Sequence, residues 1–111
     1  MKVEQQQVGT VDVLTPAGAL VDQEAESFSK LLLERIKLPN PRLVVLMQQV
    51  SYLDSTAVEG LLAATEELAD RATSLKLASV PPVCREILAL TGVSGRFSFF
   101  EDVQDAVRSF L

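Results

Sequence analysis

Residues 43–47, Leu-Val-Val-Leu-Met, form an unbroken apolar run with β-branched residues at its centre, and a segment of helical period stands on each side of it. A run this short and this apolar suits a strand covered on both faces, or an interior strand of a small sheet. Before it, from Asp22 onward, Ala25, Phe28, Leu32 and Ile36 recur at helical spacing. Leu31 and Leu33 widen that apolar side, and Asp22 is placed to cap the helix. The segment "LPNP" (38–41) ends it, because proline cannot continue a helix. After the run, residues 56–72 carry the clearest helical pattern. Val58, Leu61, Leu62, Thr65, Leu68, Ala69 and Ala72 make one stripe, and Glu59, Glu66, Glu67 and Asp70 lie opposite as a solvated face. Thr56 with Glu59 fits the S/T-x-x-E capping box at its start.

The flanks complete the pattern. "VEQQQ" (3–7) and "VDVLTPAG" (11–18), separated by Gly9, read as two strands of a hairpin, with Pro16 confining the second to an edge or an end. "LKLASV" (75–80) alternates as a strand, and Pro82 opens a helix with Val83, Ile87 and Leu90 on one face and Gly92 as its stop. "RFSFF" (96–100) is a last strand, and Val103, Ala106, Val107 and Phe110 stripe a terminal helix. The order β-β-α-β-α-β-α-β-α predicts an α/β domain spanning 1–111: a small mixed, mainly parallel sheet with helices largely on one face. In such sheets functional residues gather where strands hand over to helices, and the turn at 53–57 is such a position.

Composition narrows the chemistry. Hydrophobic residues make up 48% of 111 positions, enough for a proper core. A net charge of −5 disfavours phosphate backbones, so no direct nucleic-acid binding is expected. The single cysteine, Cys84, cannot form an intramolecular disulfide or a cysteine-rich zinc site, and reads as a small buried apolar side chain. There is no histidine, so a Ser-His-Asp arrangement is excluded. Lys30, Lys37 and Lys76 stand at no recognisable Ser-Lys spacing, and a glycine-rich nucleophile elbow is absent. The expectation is a protein that is not an enzyme and has no cofactor or metal. No segment reaches the roughly 20 apolar residues of a membrane span, and "MKVEQQQVG" lacks a signal-peptide core, so a cytoplasmic location is expected.

Asp54, Ser55 and Thr56 could be a helix cap and nothing more. The capping box assigns Thr56, however, which leaves Asp54 and Ser55 without an obligatory structural task. Ala57, Gly60 and Ala64 lie beside the core stripe and allow two readings: close packing on a neighbouring helix, or a smooth patch that accepts a partner next to Ser55. A glycine inside a helix costs about 1 kcal/mol relative to alanine, so something requires the space at Gly60.

These residues carry a family resemblance. "VVLMQQVSYLDSTAVEGLL" resembles the central motif of the STAS domain (sulfate transporter and anti-sigma factor antagonist): strand, loop, Asp-Ser-Ser/Thr-Gly, helix. "LTPAGAL" resembles the early strand of that family, and "VPPVCREILALTGVSGRFSFFEDVQDAV" its later half. The resemblance implies a stand-alone anti-anti-sigma factor of bacterial type. Its unphosphorylated form would bind an anti-sigma factor, often a serine kinase, and phosphorylation of the serine after the motif aspartate would switch it. By position that serine is Ser55, and the partner-binding residues are Asp54, Ser55, Thr56, Ala57, Gly60 and Ala64. The chain departs from the pattern at Ala57, which replaces the usual glycine, at Val21, where an acid is common, at Leu46, where a polar residue is common, and at Glu59. The departures at Val21 and Leu46 favour a second reading in the same fold: a constitutive STAS adaptor subunit of a lipid-transport or stress-sensing complex, without phosphorylation. A small-molecule or nucleotide-binding domain ranks last, since the glycine-rich phosphate loop is missing.

Overall fold

The computed structural model describes residues 3–111. Strands β1 (Val3–Val8) and β2 (Val11–Pro16) pair antiparallel, with Val8 opposite Val11 across a two-residue turn. Gly9 takes φ +62° there, the left-handed conformation that such a turn demands. The next strand in this sheet is β4 (Leu43–Leu46), parallel to β2; β6 (Lys76–Ala78) lies parallel to β4, and β7 (Ser98–Phe100) parallel to β6. The order is β1-β2-β4-β6-β7. A separate parallel pair joins β3 (Gly18–Leu20) to β5 (Val50–Leu53). The crossovers are helices α1 (Asp22–Ile36), α2 (Ser55–Ala69) and α3 (Pro82–Leu90), and α4 (Val103–Arg108) follows β7.

The helix placement follows from the strand order. From β2 to β7 the sheet grows in one direction, so right-handed crossovers put α1, α2 and α3 on one face. The alternation along β4 shows what each face packs against. Leu43 and Val45 join a core with Phe28, Leu32, Leu61, Leu68 and Leu88, while Val44 and Leu46 point to a smaller cluster with Val11, Val13, Ala78 and Ala106. Among the described residues, the second cluster is roofed by α4, through half-buried Val103 and Val107, and by the following Phe110. Thr65 is a buried polar residue inside the α2 stripe, and it is satisfied: its hydroxyl donates to Arg96 O at 2.8 Å and accepts from Leu75 N–H at 3.0 Å.

Several sequence expectations need correction. A strand covered on both faces would bury Leu46 as fully as Val45, yet Leu46 is only half-buried, because six-residue α4 covers its face incompletely. Helix α2 stops at Ala69, short of Ala72, which turns left-handed (φ +59°) while Thr73 N–H closes back onto Leu68 O. In α3 the buried pair is Cys84 and Leu88; Val83 and Leu90 face solvent, and Ile87 only flanks the core. A nine-residue helix spans too few turns for its apolar stripe to be unambiguous. Pro16 closes β2 at its end, one of the two places open to it.

The close packing that Ala57, Gly60 and Ala64 allow is present in the fold. All three are buried, on the side of α2 that meets α1. A Cβ at Gly60 would lie 1.7 Å from Ser29 Oγ and 2.9 Å from Ser29 Cβ, so the absence of a side chain sets how closely the two helices approach. Gly60→Ala is expected to destabilise the protein by about 1–3 kcal/mol, despite the roughly 1 kcal/mol that alanine gains in a helix. Chemical denaturation of the Gly60→Ala, Ser29→Gly and double variants checks this. The cycle should show a coupling of at least about 1 kcal/mol, with Ser29→Gly relieving the clash.

Candidate functional site

The motif turn is built by the short β3–β5 pair. Ala19 lies opposite Tyr52 and Leu20 opposite Leu53, and Asp54 N–H donates to Leu20 O at 3.2 Å. Since α1 starts just after β3 and α2 just after β5, parallel pairing brings both helix N-termini to one point. Each presents N–H groups without an intrahelical acceptor. The Asp54 carboxylate serves both. Its Oδ1 accepts from Ala57 N–H in α2 at 2.9 Å, and its Oδ2 accepts from Asp22 N–H in α1 at 2.8 Å.

This geometry replaces the caps expected from sequence. Asp54 is the N-cap of α2, with extended backbone (φ −89°, ψ −178°), and Thr56 lies inside the first turn, so the Thr56–Glu59 capping box does not form. Asp22 does not cap α1 either. It sits in the left-handed region (φ +51°), and extended Val21 holds the cap position without a side-chain bond. Aspartate tolerates the left-handed conformation better than most residues, and here that turn aims the Asp22 N–H at Asp54. Asp54 therefore has a structural task that the sequence did not reveal. The bonds from Asp22 N–H and then Ala57 N–H stabilise the carboxylate and hold its pKa below the ordinary value.

With Asp54 committed, Ser55 is left free for chemistry. It is exposed at the first position of α2, and its hydroxyl has no hydrogen-bond partner among the described residues. Thr56 beside it is half-buried, and Glu59, one turn on, is exposed. The outward-facing part of the candidate site thus comprises Ser55 and part of Thr56; Ala57, Gly60 and Ala64 support it from inside. Sequence reasoning passed over Tyr52, which is 49% exposed two residues before Asp54. A lone aromatic next to the motif was the one signal available. Behind β5, buried Cys84 points its Sγ at Val50 O, 3.8 Å away, and burial pushes its thiol pKa up. The candidate site presents the exposed Ser55 hydroxyl at the N-terminus of α2, with the hydroxyls of half-buried Thr56 and exposed Tyr52 nearby, and none of the three has a hydrogen-bond partner among the described residues.

The STAS domain family matches residues 2–106, and the chain belongs to it. No curated protein matches in a sequence comparison. Among solved structures, a protein of Thermotoga maritima described as a candidate anti-sigma factor antagonist superposes with a TM-score of 0.87 at 17% identity, covering 96% of this chain and 92% of its own. An anti-sigma factor antagonist from Mycobacterium paratuberculosis gives 0.83 at 22% identity, over 97% and 92%. The anti-sigma factor antagonist SpoIIAA in its unphosphorylated form gives 0.79 at 17%, over 98% and 96%. At these identities the likeness is one of fold. No helix among the described residues is long and apolar enough to cross a membrane.

The double cap has a measurable pH signature. A carboxylate whose folded-state pKa is depressed contributes stability above its unfolded pKa, near 3.9, and loses that contribution as pH falls through the folded value. Asp54→Ala should lower the melting temperature at pH 7 more than Ser55→Ala or Thr56→Ala does. Asp54→Asn, with one acceptor oxygen left, should fall between Asp54→Ala and the wild type. The gap between wild type and Asp54→Asn should close as pH drops below the folded pKa. Thermal melts at a series of pH values check both statements.

Proposed function

We propose that this STAS domain is an anti-sigma factor antagonist that acts in the cytoplasm as a protein-interaction switch. Its partner is an anti-sigma factor or related regulatory protein, with a serine kinase as the modifying agent and Ser55 as the phosphorylated residue. The observation that carries this reading is the division of labour at the motif: the Asp54 carboxylate accepts from the N-termini of both α1 and α2, and the Ser55 hydroxyl stands exposed with no bond to keep. The anti-sigma factor antagonists among its structural neighbours support the partner class.

The electrostatics define how a phosphate acts here. Phosphoserine carries roughly −1.5 to −2 charges at neutral pH. The N-terminus of α2 favours that charge, while Asp54, held ionised, and exposed Glu59 oppose it. With these opposing influences, phosphorylation leaves the fold as it is. Its effect arises when a partner covers the site, where stripping water from an unpaired phosphate weakens binding by more than about a hundredfold. The switch is a block at the contact surface.

Ser55→Asp should therefore weaken partner binding while Ser55→Ala retains it, and neither should shift the melting temperature appreciably, since the cap belongs to Asp54. Partner affinity measured by calorimetry, with melts alongside, tests this. In kinase-treated protein, amide shifts should stay within residues 50–62. Equal affinity for wild type, Ser55→Ala and Ser55→Asp overturns the switch and leaves the constitutive adaptor reading.

A further inference from the structure

At the opposite end of the parallel strands from Ser55, an open cavity of about 390 Å³ is lined by Asn40, Arg42, Arg71, Thr73, Lys76 and Ser109, with Pro41 and Phe110 completing it. The lining contains three cations and no carboxylate. That is unusual in a chain where acids outnumber bases 15 to 10. Of the other four arginines, three have acidic partners, Arg35 with Asp12, Arg96 with Glu66 and Arg108 with Asp105, and Arg85 lies over the Phe99 ring. Arg42, Arg71 and Lys76 have none among the described residues. Their contacts instead hold them in place around the cavity. Arg42 Nη1 donates to Thr10 Oγ1 at 2.9 Å, and Arg71 Nη1 to Leu38 O at 3.2 Å, leaving the rest of each guanidinium fork open. Lys76 Nζ donates to Ser109 Oγ at 2.6 Å and lies 3.9 Å from the centroid of the Phe110 ring and 5.6 Å from that of Phe100. Partial burial lowers the Lys76 pKa, as expected for an ammonium deprived of water without a counter-ion.

We propose that this cavity binds the phosphate group of a small soluble molecule, inorganic phosphate or a phosphate monoester, between Arg42, Arg71 and Lys76. Two guanidinium forks offer planar bidentate donors matched to phosphate oxygens, and the ammonium adds a point charge. A dianion relieves the mutual repulsion of the three cations, and Thr73 and Asn40 supply further polar groups around it, while Ser109, which donates to Ala106 O and accepts from Lys76, holds the ammonium in place. A membrane or nucleic-acid surface is disfavoured as the source of the phosphate, because the net charge of −5 repels a polyanion. The site is independent of Ser55 and its modification.

The test is an amide NMR titration of the full chain with sodium phosphate, and in parallel with glycerol phosphate, at ionic strength held constant with sodium chloride. Saturable shifts are expected in residues 40–42, 71–76 and 109–111 with a Kd on the order of 1–10 mM, and none at Ser55. Arg42→Gln and Arg71→Gln should each weaken binding at least about threefold without lowering the melting temperature. Non-saturating shifts equal to those with chloride overturn the proposal, as does unchanged affinity in both variants. Binding to vesicles containing phosphatidic acid with none to either soluble phosphate overturns it as well.

Discussion

One carboxylate holds the motif end of this protein together. Asp54 bonds to the first turn of α2 with one oxygen and to the first turn of α1 with the other. Two helix N-termini that would otherwise repel through their like partial charges share a single anion. The position of Ser55 is a consequence, since the residue after a cap is held by the cap. The chemistry also explains why the neighbouring hydroxyls are spared: a carboxylate with two oxygens can satisfy two donors, which a hydroxyl at the same place does less well.

Below that bridge, the α1–α2 contact depends on the lack of a side chain at Gly60, which lets Ser29 occupy the space a Cβ would take. The two constraints act at different heights along the same pair of helices. The bridge fixes their starts and the glycine fixes how closely they approach roughly one and a half to two turns further on. Ala57 and Ala64 continue the close-packed seam on either side. This places the small residues of the motif in the support of the site, while its outward surface consists of Ser55, part of Thr56 and the nearby Tyr52.

Much of the architecture was legible in the chain because its signals are long. The apolar run at 43–47, the α1 and α2 stripes and the hairpin glycine each extend over enough residues to have one reading. What escaped was short or irregular. Strand β3 has three residues with only Leu20 buried, and β5 buries Val50 and Leu53 around exposed Ser51 and Tyr52, so neither shows the alternation that marks a strand. The cap of α2 was misassigned because Asp54, Ser55 and Thr56 are all good N-caps, and only the tertiary pairing of β3 with β5 decides among them. The second bond of Asp54 spans 32 residues and depends on a left-handed Asp22, which no local pattern encodes. The family motif pointed to this turn; the hydrogen bonds and burial of each of its residues required the fold.

The modest size of α4 sets the two faces of the sheet apart in dynamics. A six-residue helix is far below the length at which helices persist alone, so α4 exists only through its contact with the sheet. The contact it makes is centred on Ala106, whose side chain is a single methyl group, with half-buried residues around it. Regions with few buried contacts open at lower free energy than the rest of a fold. Transient lifting of α4 uncovers Val11, Val13, Val44 and Leu46 but leaves the α1–α3 core and the Asp54 bridge undisturbed. The amide protons of α4 are therefore expected to exchange with solvent by a local route, before those of β4, which lies in the middle of the five-stranded sheet.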